Sequence, residues 1–291
     1  MRASAKAAAG PPVEELDKAA SQPVLKLQPP AGPHYEGGMS FARTVQPVLD
    51  RYCIECHGLQ PEINGVNLLG SFEVTEDNLA AAHWKLLPST SYAGLTGHES
   101  LVKVAQYGGE SWYSEPYDYF AHGGTLTKLL RDRHEGVELD AASLQRVIDW
   151  LDLNAPLYGS YSWNKEEWRQ ADPEGEKALR AVVRQRFGAA WASQPFAALV
   201  NVALPEESRI LLAPLPVAAG GWGQVPASAG GWKNDRDPAY QKMCKLVQAA
   251  IQPLPYHDIA GTCGRDENCR CLSCWVRRIQ EQKRIHTTAA Q

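Results

Sequence analysis

The feature that most constrains this chain is the stretch RYCIECHG, residues 51–58. It places Cys53 and Cys56 three positions apart, with His57 directly after the second cysteine. Two thiols at this spacing can bond covalently to the edge of a haem, and the histidine that follows can bind its iron from the proximal side. Random placement of the cysteines and histidines would produce this motif in roughly half a percent of such chains. The motif therefore predicts one covalently attached haem c.

Two other interpretations of the motif stay open. Cys53, Cys56 and His57 could supply three of the four ligands of a zinc site. The two cysteines could also form a disulfide, although a disulfide at this spacing is strained within a helix. Haem is favoured because the apolar residues of 44–53 recur at the spacing of one helix face, so an amphipathic helix leads directly into the motif.

The sixth ligand of the iron is predicted from the distribution of methionine and histidine. No methionine occurs between His57 and Met243, so the His/Met pair of high-potential cytochromes is not expected. His134, which follows the predicted helix TLTKLLRDRH, is the candidate distal ligand, and His122 is the runner-up. An open distal position is the alternative. Two further histidines of this region are weaker candidates: His83 and His98.

Helix periodicity dominates the sequence and strand signals are few, so the predicted fold is mostly α. Residues 1–38 are rich in Pro and Ala and predict a linker or tail. We expect a cytochrome c-like helical haem domain over 39–161 and an α-helical, loop-rich extension over 162–291 with a four-cysteine cluster. Within the haem domain, LDAASLQRVIDWLDLN predicts a helix with Asp140 as its N-cap.

A second cysteine cluster lies in GTCGRDENCRCLSCWVRR, and no histidine follows any of its cysteines. Four thiolates this close in sequence could bind one structural zinc ion, and in an exported protein they could form two disulfides. Reduced thiols are the third interpretation. Cys244, on a predicted amphipathic helix, is expected to be a buried apolar residue. The four residues of the cluster are Cys263, Cys269, Cys271 and Cys274.

Charge and hydropathy exclude several classes of partner. The net charge is −4, which argues against binding to nucleic acid or to an anionic membrane surface. No apolar run is long enough to cross a bilayer, so no membrane span is predicted. The first twenty residues have no continuous apolar core and predict no secretory signal. Haem attachment of this type normally occurs outside the cytoplasm, so we nevertheless expect a periplasmic or otherwise exported protein.

Three longer stretches resemble a known family: FARTVQPVLDRYCIECHG, GTLTKLLRDRHEGVELDAASLQRVIDWLDLNAPLYGSY and SRILLAPLPVAAGGWG. They are similar to the C-terminal haem-binding region of hydrazine synthase alpha-subunit-related proteins, and to the wider group of planctomycete-type cytochrome c domains. CxxCH is specific only for haem c, whereas WLDLNAPLYGSY narrows the family. The resemblance implies a haem on Cys53 and Cys56, with His57 as proximal and His134 as distal ligand.

The larger members of that family carry a propeller and another haem domain, so this chain resembles a detached electron-transfer part. We predict a c-type cytochrome that transfers single electrons through a haem with two histidine ligands. Its expected partners are redox proteins, or the other subunits of a larger redox complex. One alternative is a haem enzyme subunit of the hydrazine synthase-like type with an open distal iron site. The other is a zinc-stabilised interaction module without haem.

Overall fold

The computed structural model describes residues 35, 38–60, 65–72, 88–98, 100–105, 117–159 and 169–253, together with residues 274, 277, 278 and 281. Helices dominate this part of the chain, which confirms the prediction of a mostly α protein. The predicted tail, residues 1–38, lies outside the described residues except for Tyr35 and Gly38. The predicted division between 161 and 162 also falls outside them.

The first half of the described chain is built from short helices and one longer helix. The longer helix, α7, begins after Asp140, whose carboxylate accepts a hydrogen bond from the Ser143 N–H, so the predicted N-cap is confirmed. A 3₁₀ turn at His134–Gly136 precedes it. The helices are α1 (Phe41–Thr44), α2 (Gln46–Tyr52), α3 (Ile54–His57), α4 (Thr90–Thr96), α5 (Phe120–Gly123), α6 (Leu126–Arg131) and α7 (Ala141–Asp152).

The second half has two long helices joined by short turns. Both begin at a proline preceded by an aspartate that caps the helix, as is typical for first-turn prolines. A two-stranded antiparallel ribbon brackets this half, with Arg169 opposite Pro253. The elements are β1 (Arg169–Ala171), α8 (Pro173–Phe187), α9 (Ala189–Ala192), α10 (Phe196–Leu199), α11 (Arg209–Leu212), α12 (Pro238–Ala249) and β2 (Ile251–Pro253), with 3₁₀ turns at Pro205–Glu207, Val217–Ala219 and Ala227–Ala229.

Two hydrophobic cores organise these elements. In the first, Phe41 and Trp150 are fully buried and their ring centres lie 5.2 Å apart. Its members come from 39–155, apart from Ala198. In the second core, Trp232 packs edge-on against Phe187, and the members come from 179–250. The motif-bearing helices α2 and α3 belong to the first core, so apolar packing of that half places the candidate site.

Two glycine-rich loops, 216–222 and 226–232, share one backbone design. In each, a 3₁₀ turn follows a proline, and a glycine with positive φ comes next, Gly220 at 86° and Gly230 at 95°. The N–H of the second glycine of each loop then donates to the carbonyl of the loop's proline. The similar stretches AGGWG and AGGWK, residues 219–223 and 229–233, thus form the same kind of turn.

None of the helices in the described parts of the chain is both long and apolar enough to cross a bilayer. This agrees with the absence of a membrane span predicted from hydropathy.

Candidate functional site

The CxxCH motif lies where one helix ends and the next begins. The sequence predicts an unbroken helix over 44–53, but the structure ends α2 at Tyr52 and starts α3 at Ile54. Cys53 lies between them with φ −120°, and its carbonyl accepts the His57 N–H at 2.9 Å. Ile54 is only 1% exposed and anchors α3 in the first core. Cys53, at this break, is half-buried, whereas Cys56 is exposed.

The two motif cysteines are free thiols, so the structure does not join Cys53 to Cys56 as a disulfide. Burial is the main cause that raises the pKa of the Cys53 thiol to about 12, and the nearby Asp50 carboxylate adds to it. A thiol with this pKa is protonated at neutral pH. A thioether bond at Cys53 carries no charge, so burial of this sulfur is compatible with haem attachment.

The structure brings His57 and His134 together across 77 residues of sequence. Their ring centres are 6.1 Å apart and their planes are inclined by 28°. The rings are arranged as a stacked pair, at a separation within the usual range for offset rings. Two imidazoles that bind one metal from opposite sides, each at roughly 2 Å, place their ring centres about 6 Å apart. The pair therefore has the separation that two axial ligands of one haem iron require.

The His57 ring is packed closely, but its polar atom has no partner. Nδ1 is buried and makes no hydrogen bond in the described part of the chain. Gly65 lies against the ring, because a Cβ there would stand 3.3 Å from both Cε1 and Nδ1. The Leu68 N–H binds the His57 carbonyl at 2.7 Å. Because Nδ1 is packed against Gly65, Nε2 is the nitrogen of this ring that could bind a metal.

His134 lies on an exposed 3₁₀ turn with an unusual backbone. The residues on either side of it, Arg133 at φ 57° and Glu135 at φ 50°, both have positive φ without being glycine. Such conformations cost about 1–2 kcal/mol each and collect at functional sites. A surface ion pair, Arg133 with Glu138 at 2.9 Å, closes the turn. The backbone thus presents the His134 ring at a cost in conformational energy.

The other histidine candidates occupy different surroundings. His122, the runner-up, is exposed at the end of α5, and its ring contacts Tyr117 with 5.0 Å between ring centres. His98 is exposed just after α4. His83 lies outside the described residues. Of the histidines that the structure describes, His134 is the one whose ring is recorded against His57.

The C-terminal cysteine cluster is described only in part. Cys263, Cys269 and Cys271 lie outside the described residues, so the choice between zinc and disulfides stays a prediction. Cys274 is buried, with Arg277 4.0 Å from its sulfur. Cys244 is half-buried on α12, as part of the rim of the second core. Within the residues that can be described, no group of three or more His, Cys, Asp or Glu side chains is arranged to hold a metal ion.

Sequence reasoning missed a buried polar group on α2. The Asp50 carboxylate accepts a hydrogen bond from the Gln46 side chain at 2.7 Å, and the Ser91 hydroxyl binds the Gln46 amide oxygen. All three residues are less than 5% exposed. Burial is the main cause that raises the pKa of Asp50 to about 7. The sequence did carry a signal for this buried pair: Gln46 and Asp50 are one helical turn apart, and each directly follows an apolar residue, Val45 or Leu49.

Searches against protein-family profiles, curated proteins and solved structures found no match for this chain. Function is therefore inferred from the motif, the histidine pair and their surroundings.

Proposed function

We propose that the chain is a c-type cytochrome that transfers single electrons, with one haem c attached through Cys53 and Cys56. His57 would bind the iron from the proximal side and His134 from the distal side. The observation that carries this proposal is the 6.1 Å separation of the two imidazole rings, with His57 directly after the second cysteine of the motif. A haem bound there would supply one-electron exchange between the ferric and ferrous states of its iron.

The chain's own residues would hold the two ligands and limit their movement. The hydrogen bonds of α3 and the contact with Gly65 hold the His57 ring from one side. The glycine after the motif, Gly58, has Leu69 so close that a Cβ would meet its side chain at 2.8 Å. A site already close to its bound geometry changes little between oxidation states, which favours rapid electron transfer over bond-making chemistry.

The catalytic alternative keeps one observation in its favour. His134 is exposed and lies on a strained turn, so an external ligand could replace it at a lower cost than a buried histidine. A haem enzyme subunit of the hydrazine synthase-like type would need such an open site. The cytochrome proposal also includes a relation to hydrazine synthase alpha-subunit-related proteins. It further includes export of the chain and redox proteins as its partners.

Expression together with a haem-maturation system tests the proposal. We expect haem that survives denaturation, a haemochrome typical of two thioether bonds, and a fully low-spin ferric spectrum. His134→Ala should convert the iron to high spin, whereas His98→Ala, a matched exposed histidine, should leave it low spin. His122→Ala tests the runner-up ligand in the same way.

Each other outcome selects a different function. A high-spin wild-type protein that retains covalent haem supports the enzyme with an open distal site. If His134→Ala stays low spin, ligation by His57 and His134 is wrong. Protein that incorporates no haem but carries stoichiometric zinc by metal analysis overturns the cytochrome proposal and supports the interaction module.

A further inference from the structure

Asp140 connects the turn that carries His134 to the residues that precede the motif. Its Oδ2 accepts hydrogen bonds from Arg51 Nη1 at 2.8 Å and from the Tyr52 hydroxyl at 2.9 Å. Those two donors are the residues immediately before Cys53, and Asp140 follows His134 by six positions. A single carboxylate thus joins the two parts of the chain that contribute His57 and His134.

The same carboxylate also organises the residues after the turn. Its Oδ1 accepts the Ser143 N–H at 2.8 Å and so caps α7. The Tyr52 hydroxyl in turn receives the Asp140 N–H at 3.4 Å. Hydrogen bonds from Ser143 and Tyr52 hold the pKa of Asp140 below its ordinary value, although partial burial alone would raise it. Asp140 is therefore a carboxylate under neutral conditions.

We propose that Asp140, with Tyr52 and Arg51 as its partners, is a positioning group that holds His134 at the correct distance from His57. This inference rests on the proposed function, because it concerns the second ligand of the same iron. The ion pair between Arg133 and Glu138 is local and about two-thirds exposed, and Leu139 packs against the first core. Among the polar side-chain contacts described for residues 134–140, those of Asp140 with Arg51 and Tyr52 span the long sequence separation.

Asp140 can position His134 because it closes the long loop between residues 52 and 140. Residues 52 and 140 are 88 positions apart, and bringing them together carries an entropic cost that packing of α2 and α7 in the first core meets. The carboxylate then fixes the register between the two segments. Arg51 and Asp140 are 31% and 44% exposed in their side chains, so we expect little effect on global stability from their ion pair. The effect should appear in the occupancy of the distal ligand.

The purely structural explanation, that Asp140 only caps α7, makes a different prediction. Asn is as good an N-cap as Asp, so Asp140→Asn retains the cap and removes the charge that binds Arg51. Tyr52→Phe leaves the cap untouched and removes only the hydroxyl. Asp149→Asn is the matched control, because Asp149 lies on the same helix and also accepts a tyrosine hydroxyl, that of Tyr35 at 2.6 Å.

The test uses the full chain matured with haem. We expect Asp140→Asn and Tyr52→Phe each to increase the high-spin fraction and to strengthen exogenous imidazole binding several-fold, and their combination to add little beyond either alone. Asp149→Asn should match the wild type. If both variants stay fully low spin with unchanged imidazole affinity, or if Asp149→Asn has the same effect as they do, the positioning role is wrong.

A readout without haem separates this inference from the cytochrome proposal. The N–H groups of Gly136 and Val137 bind the carbonyls of Arg133 and His134 within the turn. In the haem-free chain we expect Asp140→Asn and Tyr52→Phe to speed hydrogen exchange at these two amides several-fold, with no change in the amides of α12. Unchanged exchange overturns the inference whether or not haem is bound, whereas absence of haem alone overturns the cytochrome.

Discussion

The backbone around the two hydrophobic cores differs in which residues have positive φ. Around the second core, every described residue with positive φ is a glycine: Gly188, Gly220, Gly223 and Gly230. Around the first core, six described residues adopt positive φ without being glycine: Tyr117, Phe120, Arg133, Glu135, Asn154 and Ala155. Glycine takes this conformation at little cost, whereas other residues lose stability by it.

This difference indicates which half carries the function. Strained backbone persists only where the surrounding structure determines it strongly, and it collects where a side chain must be presented in one geometry. Two of the six strained residues flank His134, and two more, Asn154 and Ala155, lie just after the residue that caps the C-terminus of α7. The first core also encloses the polar residues Gln46, Asp50 and Ser91. The second half also buries polar residues, Asn201 and Ser208, so the two halves differ in backbone strain and not in the burial of polar groups.

The largest expected effect comes from matched tryptophan substitutions in the two cores. Trp150 and Trp232 are 0% and 1% exposed, so each change to alanine should lower the free energy of unfolding by about 3–5 kcal/mol. Only Trp150→Ala should also alter the spectrum of the bound haem. Denaturant unfolding followed by circular dichroism gives the first quantity, and absorption gives the second.

If the alanine variants do not fold, substitution by phenylalanine allows the two tryptophans to be compared. Trp150→Phe and Trp232→Phe should reproduce the pattern with smaller losses. Equal spectral changes from both positions would contradict the division of roles between the two cores.

The buried carboxyl of Asp50 gives a pH-dependent prediction. Its pKa of about 7 lies above the ordinary value of 3.8, so the folded state binds its proton more tightly than the unfolded state. The preference for the protonated form contributes its full stability to the folded state below the ordinary pKa of 3.8. That contribution is lost as the pH rises through about 7. Asp50→Asn should therefore exceed the wild type in unfolding free energy at pH 8 by on the order of a few kcal/mol, and by much less at pH 4–5.

Denaturant titrations at several pH values measure this difference. Asp132→Asn, an exposed carboxylate of the same half, is the control. A difference between Asp50→Asn and the wild type that does not grow with pH would show that Asp50 is not held in its protonated form.

The smallest effect tests backbone strain directly, with opposite signs in the two halves. Glu135→Gly should stabilise the protein by about 0.5–1 kcal/mol, because glycine relieves the positive φ of 50°. Gly220→Ala should destabilise it by about 1 kcal/mol, since φ is 86° and open space around the position leaves strain as the only cost. Thermal unfolding of both variants measures the pair. Two changes of the same sign would contradict the strain argument.

Local features of the fold could be predicted from the sequence. The apolar spacing before the motif predicted helix there, and the aspartate before an apolar stripe predicted the cap of α7 at Asp140. Both depend on interactions within a few residues. The mostly α class follows from the same periodicity. The pairing of His57 with His134 was proposed from methionine scarcity and the family resemblance, and the structure places the two rings near one another.

Long-range and packing-dependent features could not be predicted. The helix breaks at Cys53, next to the buried Ile54, and no local pattern in the sequence predicts this break. The contacts of Asp140 with Arg51 and Tyr52 join residues almost ninety positions apart. The burial of Asp50 likewise depends on segments distant in sequence. Each depends on tertiary structure overriding local preference.

Electron paramagnetic resonance of the ferric protein tests most directly the proposal that His57 and His134 bind one iron from opposite sides. Two imidazoles whose planes differ by 28° predict a rhombic low-spin signal. We expect that signal in the wild type and its replacement by a high-spin signal in His134→Ala. A high-spin wild type, or a low-spin signal that His134→Ala leaves unchanged, would contradict the claim.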